Sequence, residues 1–457
     1  MMTAAPELIG PASDRDGLTV ADQEQLVAHG IGVEEARRQL ALLRDPPPRT
    51  KLVRAARIGD GILPPPRGAE AVRLAEEGRS AARAGRLIRF VPASGAASRL
   101  FGELRRARAR GFGATDPVLG RFEKVRRRLP FDCGPSELLE RYGDAPKALI
   151  PFHRYADGDQ RTALEEHLVE AAALVGGSGS AAVHFSVAAH HRPDFEAILG
   201  DRLPVLEGRL GCRFDVTLSH QSPATDSIAV DADGAPFRVA DVPEAPLLVR
   251  PGGHGALLGN LQSLADRGFE LIGVKNIDNV QPEQAQGAAV RAMRILAGMA
   301  RELAGRSDGP ARVCGVVPAV GTAGGGPFWV QETSGEVRLQ IVETSQIDLR
   351  DGGQAAILAR STHFNPVFLV CAARRPAGGA YRLEDYVDHD TSFVVRKSHG
   401  GRELTALERP GLWNGSMAGW ETQFVELPGD VYTPVKTVFD LAGAEHRCAE
   451  GELDEWN

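Results

Sequence analysis

An α/β protein with a mixed, mostly parallel sheet between helices is what the sequence predicts, and three observations predict it. From Leu87 onward, short apolar runs alternate with helical segments in strand-helix-strand fashion. A capping box, Thr162-x-x-Glu165, opens the helical stretch Ala163 to Val175 directly before the apolar run Ala181 to Val187. Asp233-Gly234 and Ser334-Gly335 sit between alternating runs and read as hairpin turns, an antiparallel excursion at the sheet's edge.

Taken in order, the first segment, residues 1–85, reads as a helical N-terminal extension. Val33 to Leu43 has helical spacing and is stopped by Pro46-Pro47-Pro48, and a second helix is expected from about Glu70 to Ala84. Residues 86–360 form the predicted core. It opens with a strand over Leu87 to Ala93, a small-residue loop and a helix from about Arg99 to Arg110. Further strands are expected at Phe214 to Ser219 and Leu271 to Ile277, with a helix from Gly255 to Arg267 between them. Residues 361–457, containing Phe364 to Ala372 and Val435 to Leu441, complete the chain.

Composition narrows the function classes. The 457 residues, 43% hydrophobic and 25% charged, match an ordinary globular protein able to bury a large core. A formal charge of −7 gives no electrostatic reason to expect nucleic acid or an anionic membrane as partner. The five cysteines lie far apart without metal-ligand spacing, Met1 to Asp14 lacks a signal-peptide pattern, and no run is apolar enough to span a bilayer. A cytoplasmic location is expected. Arginine-rich stretches at Gly102 to Arg110 and Lys124 to Arg128 read as solvated faces, and His184, His190 and His191 as structural. Only six of the 53 basic residues are lysine, so each lysine position carries information.

Four segments have the residue types that chemistry needs. Ser94-Gly95-Ala96-Ala97-Ser98-Arg99 follows a strand and precedes a helix, so backbone N–H groups, a helix N-terminus and the Arg99 fork suit a phosphate; a tight turn with a solvated arginine fits equally. Pro146-Lys147 holds an ammonium at the start of an apolar run, either as a site group or as a plain turn. Pro251-Gly252-Gly253-His254-Gly255 leaves room for a ligand near a helix N-terminus, or forms a flexible turn. Asn276-Ile277-Asp278-Asn279 puts a carboxylate at the carboxyl edge of the sheet, where Asp278 either holds Mg2+ or caps the next turn.

In order, with Gln221-Ser222-Pro223, Glu343 in Ile341-Val342-Glu343-Thr344, Asn365 in His363-Phe364-Asn365-Pro366, and Pro434-Val435-Lys436 followed by Asp440-Leu441, these segments resemble the UDP-sugar pyrophosphorylase and UTP-glucose-1-phosphate uridylyltransferase superfamily. The wording VPASGAASR, PKALIPFH, RPGGHGAL, KNIDNV, LWNGSM and PVKTVFDL is similar to a bacterial family of unknown function distantly related to those enzymes. The resemblance implies a nucleotide-diphospho-sugar transferase fold of GT-A type, and an enzyme that joins a nucleoside triphosphate to a sugar 1-phosphate and expels pyrophosphate.

Arg99, Lys147 and Lys436 are then the catalytic cations. Ser94, Gly95, Ala96, Ser98, Gln221, Gly253, His254 and Gly255 border the nucleotide, Asn276, Glu343 and Asn365 suit sugar hydroxyls, residues 361–457 complete the sugar side, and Asp278 holds Mg2+. Two departures stand out: alanine or serine replaces two glycines of the family's GGxGT loop, and the Arg99 to Pro146 interval is far longer than usual in the family. A noncatalytic nucleotide-sugar-binding module is the alternative function. Glycosyl transfer through Asp231-Ala232-Asp233 is a third, but that triplet runs into a turn.

Overall fold

A computed structural model describes residues 16–448, apart from 96, 114, 177–178, 243, 320–323 and 333. Its central sheet has nine strands: β1 (Arg57–Ile58), β2 (Gly61–Leu63), β3 (Leu87–Pro92), β4 (Gly179–Ser186), β5 (Cys212–Ser219), β6 (Leu271–Lys275), β7 (Ala311–Val316), β8 (Phe368–Ala372) and β9 (Glu421–Glu426). They lie in the order β1-β2-β9-β7-β8-β6-β3-β4-β5. Every pairing is parallel except the two made by β8, which runs antiparallel between β6 and β7. From β3 the chain steps outward to β4 and β5, then returns to β6 on the other side of β3. The β3 and β6 carboxyl ends therefore diverge at a topological switch, the usual ligand crevice of an open α/β sheet.

Both faces of the sheet are buried, and successive residues serve different cores. Leu87, Val91 and Leu271 face helices Gly68–Arg83, Ala163–Val175, Arg192–Leu210 and Gly287–Ala304. Ile88, Phe90, Ile272 and Val274 face helix Leu258–Asp266. The Thr162 capping box is present, with the Thr162 N–H donating to the Glu165 carboxylate at 2.9 Å.

The N-terminal segment departs from the all-helical expectation. Helices Val20–His29, Val33–Arg44 and Gly68–Arg83 are there, but Lys51–Ala55 is a strand paired antiparallel with Gly325–Gln331, and residues 57–63 supply β1 and β2. Those partners lie far downstream, so local periodicity carries no trace of them. Likewise β8 and β9, from residues 361–457, sit inside the central sheet rather than beside it. The hairpins are not an excursion at that sheet's edge: Gly325–Gln331 and Val337–Glu343 join Lys51–Ala55 in a separate three-stranded sheet. Asp233-Gly234 turns the chain after Ser227–Val230, where the Asp231 carboxylate accepts from the Asp233 and Ala235 N–H groups at 2.9 Å. That Asx turn accounts for the Asp-Ala-Asp spelling without a metal.

The long interval between Arg99 and Pro146 holds helices Gly102–Ala109, Pro117–Val125 and Pro135–Tyr142, packed through Phe122, Leu138 and Leu139. Several of its arginines are paired at the surface, among them Arg105 with Asp144 and Arg110 with Asp116. Arg121, paired with Glu103 at 3.6 Å, also lies 3.8 Å over the Phe439 ring, bracing the C-terminal segment. His184 is held by the Thr217 and Ser219 hydroxyls at 2.7 Å, a structural role. Among the described residues no helix is long and apolar enough to cross a membrane.

Helices Gly68–Arg83 and Gly287–Ala304 cross with their backbones almost touching. A Cβ at Gly298 would lie 2.4 Å from the Leu74 carbonyl oxygen, and one at Gly78 would lie 2.1 Å from that of Arg294. Gly298→Val is expected to cost about 1–3 kcal/mol of stability in urea unfolding, despite the poor helix propensity of glycine.

Candidate active site

Three hydrogen bonds tie the predicted site segments together at the carboxyl ends of β3 and β6. The Lys147 N–H donates to the Gly95 carbonyl at 3.2 Å, the Val435 N–H to the Asp278 carbonyl at 2.9 Å, and the Val438 N–H to the Leu100 carbonyl at 2.9 Å. The Lys147 ammonium then lies between them, 3.0 Å from the Val435 carbonyl and 3.4 Å from Asp278 Oδ2. Arg99, Lys147, Asp278 and Lys436, far apart in sequence, thus stand on mutually bonded loops.

Their surroundings differ in a way that matters for charge. Lys147 and Asp278 are largely withdrawn from water, with side chains 12% and 25% exposed. Arg99 and Lys436 are exposed and make no side-chain hydrogen bond or ion pair among the described residues. The Lys436 and Thr437 N–H groups both donate to Asp440 Oδ2, at 2.8 and 2.6 Å, fixing the turn that presents the lysine. The site therefore offers more unpaired positive than negative charge, which suits a polyanion.

The glycine-poor loop is less obstructed than its spelling implies. Ala97 is fully buried, its methyl in the core and its N–H bonded to the Ala145 carbonyl at 3.3 Å, so it does not intrude on the loop's outer face. Gly95 and Ser98 are exposed, Ser94 is half-buried, and Ala96 lies outside the described residues. The regular helix starts at Gly102, so Arg99 sits in the preceding turn rather than in the helix's first turn.

Asn279 is the residue whose role sequence reading missed. Buried beside Asp278, its carboxamide accepts from the Thr433 N–H at 3.1 Å and donates to the Val367 carbonyl at 3.4 Å. It joins the Lys436 segment to the one carrying Asn365. Between them Tyr432 stacks on Phe364 at 5.4 Å, and burial, with the Asp278 charge adding, pushes its hydroxyl up to about 12.

Asn365 and Glu343 meet at Gly325: a Cβ there would lie 3.0 Å from Asn365 Nδ2 and 2.8 Å from the Glu343 Cα. Among the described residues Asn365 Oδ1 is buried without a partner, an acceptor left open. Burial, reinforced by the nearby Glu408 carboxylate, raises the Glu343 carboxyl above its ordinary range. Glu408 in turn bonds Lys397 at 2.7 Å and lies against Gly253, whose φ of +81° and absent Cβ allow that approach. Gln221 reaches the Gly253 carbonyl at 3.5 Å. Gly252 and Gly255 serve packing instead, since a Cβ at Gly255 would lie 1.9 Å from the Pro410 carbonyl. His254 packs on Trp413 at 4.3 Å, and burial draws it down to about 4. Asn276 is half-buried at the tip of β6, with no side-chain bond among the described residues joining it to Glu343 or Asn365.

A family model described as Domain of unknown function (DUF4301) matches residues 19–116, 136–308 and 299–447, nearly the whole described chain. The chain belongs to this family. The part of the DUF4301 protein between the first two matched spans coincides with helix Pro117–Val125 and the turn after it. No curated protein matches the sequence. Solved structures do match the fold. UDP-N-acetylglucosamine pyrophosphorylase from Trypanosoma brucei, in complex with an inhibitor, aligns over 95% of this chain and 84% of its own with 15% identity and a TM-score of 0.56. A variant of UDP-glucose pyrophosphorylase from Leishmania major, in complex with UDP-glucose, aligns over 94% and 79% with 14% identity and a TM-score of 0.52. The DUF4301 chain thus has the fold of sugar-nucleotide pyrophosphorylases, as its motifs led one to expect.

Beneath the site, Arg89 on β3 and Lys275 on β6 share one carboxylate, Glu170, at 2.8 and 2.9 Å, all three fully buried. Burial opposes a charged Glu170, but the Arg89 and Lys275 charges outweigh it and draw the carboxyl down to about 2. Glu170→Gln would strand two buried cations and is expected to cost about 3–5 kcal/mol at neutral pH. With the folded value below the ordinary 4.5, that stability is present above pH 4.5 and lost as pH falls toward 2, so denaturant melts of variant and parent should converge in acid.

Proposed function

We propose that this protein is a Mg2+-dependent nucleotidyltransferase that joins a nucleoside triphosphate to a sugar 1-phosphate, or a similar phosphorylated small molecule, and releases pyrophosphate. The observation that carries the reading is the bonded convergence of the Gly95, Lys147, Asp278 and Val435 segments, with Arg99 and Lys436 exposed beside it. Phosphoryl and nucleotidyl transfer need positioning and charge neutralisation more than covalent help from protein.

Asp278 fits a Mg2+ role on chemical grounds. Mg2+ is commonly held by one or two carboxylates, with waters and substrate phosphates completing its shell. Only Asp278 Oδ2 faces Lys147, leaving Oδ1 without a bond among the described residues, and these residues contain no three-ligand cluster that would make a self-sufficient metal cage. When bound, the ion supplies charge neutralisation at the α-phosphate.

The chain's own residues do the rest. Arg99 and the Ser94 to Ser98 loop hold the triphosphate, with Lys147 fixed near the same phosphates by the Val435 carbonyl. Lys436, presented by the Asp440-capped turn, neutralises the attacking phosphate or the departing pyrophosphate. Gln221 and the Gly253 backbone border the base, while Asn365 and Glu343 offer acceptors to sugar hydroxyls. Support for these ligands comes also from the pyrophosphorylase fold. The open outer face of the loop, with the Ala97 methyl turned into the core, favours turnover over a binding-only module.

A pyrophosphate-release assay over pairs of nucleoside triphosphates and sugar 1-phosphates, with and without Mg2+, tests the reading. Release is expected for at least one pair, falling about 10²–10³-fold in Asp278→Ala and in Lys436→Ala. Nucleotide binding without release for any pair would favour the noncatalytic module.

A further inference from the structure

A second buried polar network lies behind the Lys436 segment, and its donor and acceptor chemistry is fully determined. His446 Nε2 is 3.0 Å from the Thr433 carbonyl, which can only accept, so that nitrogen carries the proton. His446 Nδ1 must then accept, and it lies 3.0 Å from His153 Nε2, which must donate. A neutral His153 is left with an acceptor at Nδ1, 3.0 Å from Glu166 Oε1. Two lone pairs would face each other there unless one proton lies between them. Tyr155 donates its hydroxyl to the same Oε1 at 2.6 Å while accepting the Glu283 N–H at 3.0 Å, and Gln286 donates to Oε2 at 3.2 Å. Neither can supply a proton to the His153–Glu166 contact.

We propose that Glu166, His153 and His446 form a proton-loaded clasp that positions the Lys436-bearing segment, closed only while one proton is shared between Glu166 and His153. Through Thr433 the clasp holds a strand of chain whose next bonded residue, Val435, touches both Asp278 and Lys147. Glu166, His153 and His446 are positioning residues, since none contacts the exposed loop. All three are at most 4% exposed, so water cannot easily replace the missing proton.

The charged neighbours leave that proton in place. Arg161 lies 3.9 Å over the Tyr155 ring and is already paired with Asp159 at 3.0 Å and Glu283 at 2.6 Å. Glu165, next along the helix, is bonded by Arg202. Asp440 and Glu445 act on His446 from its own segment, and the Cys448 thiol faces Glu166, pushed up to about 11 by burial and then by that carboxyl. Burial, opposed by Tyr155 and Arg161, raises Glu166 to about 8. Burial, then Arg161, lowers His153 to about 3, and burial, then His153, lowers His446 to about 4. The signs follow from these shifts. The Glu166 contribution, complete below its ordinary 4.5, is lost as pH rises through 8. The histidine contributions, complete above 6.5, are lost as pH falls through those lowered values. The clasp therefore closes in the interval between.

Hydrogen–deuterium exchange of the full chain, read as protection factors for the amides of residues 433–447 between about pH 6 and about pH 9.5, tests this independently of any enzymatic activity. Protection in the parent is expected to fall about tenfold per pH unit from about pH 6 to about pH 8 and to level off above it, while helix Gly287–Ala304 keeps its own. Glu166→Gln places a carboxamide that can donate without titrating, and its protection should stay high throughout. His446→Ala should leave the segment unprotected at every pH. Parent protection independent of pH, a Glu166→Gln variant that loses protection as the parent does, or a His446→Ala variant protected like the parent would each overturn the proposal.

Discussion

One carboxylate decides where this site can form. Glu170 projects from helix Ala163–Val175 into the space between β3 and β6, where it meets Arg89 and Lys275. Two cations side by side in a dry interior would repel each other strongly, and both lie on the same face because Arg89 stands opposite Gly273 in register. The shared anion makes that pairing tolerable and fixes the helix over the two strands. Since β3 leads into the Ser94 loop and β6 into Asp278, the spacing of these two loops follows from this buried contact.

The second constraint is the C-terminal return. Residues 432–446 bring no strand to the central sheet, yet they are bonded at Asn279, Asp278, Lys147, Leu100 and His153. The helices inserted between Arg99 and Pro146 acquire a purpose from this arrangement. Through Arg121 on Phe439 and the Leu100 carbonyl on Val438, they support the far side of the turn that presents Lys436.

Much of this was legible because it is local or ordered. The β3 apolar run, the Thr162 capping box and the Asn-x-Asp-Asn strand end announce themselves within a few residues, and the order of the motifs pointed to the fold. What stayed hidden depends on partners remote in sequence. Lys51–Ala55 pairs with a strand after residue 320, and nothing in its own pattern names that partner. Asn279 was quoted as motif spelling, but its bonds to Val367 and Thr433 are visible only when three segments meet. The glycines of Pro251 to Gly255 were read as room for a ligand, whereas Gly252 and Gly255 answer to neighbouring carbonyls. His153, Glu166 and His446 had no signal at all, since lone polar residues in apolar runs look alike whether they bond or not.

The two parts of the candidate site are built by different means. Behind Lys147 and Asp278 stand two buried networks whose members are bonded side chain to side chain, so these two groups have little freedom to shift, whereas Arg99 and Lys436 are exposed. Such rigidity suits the positioning of a charged ligand of fixed geometry. At the other end, Glu343 closes a strand of a small antiparallel sheet outside the central one and is raised by burial and Glu408, while Asn365, on the segment leading into β8, has an Oδ1 unpartnered among the described residues. A buried acceptor without a donor costs free energy until a ligand hydroxyl or amine reaches it.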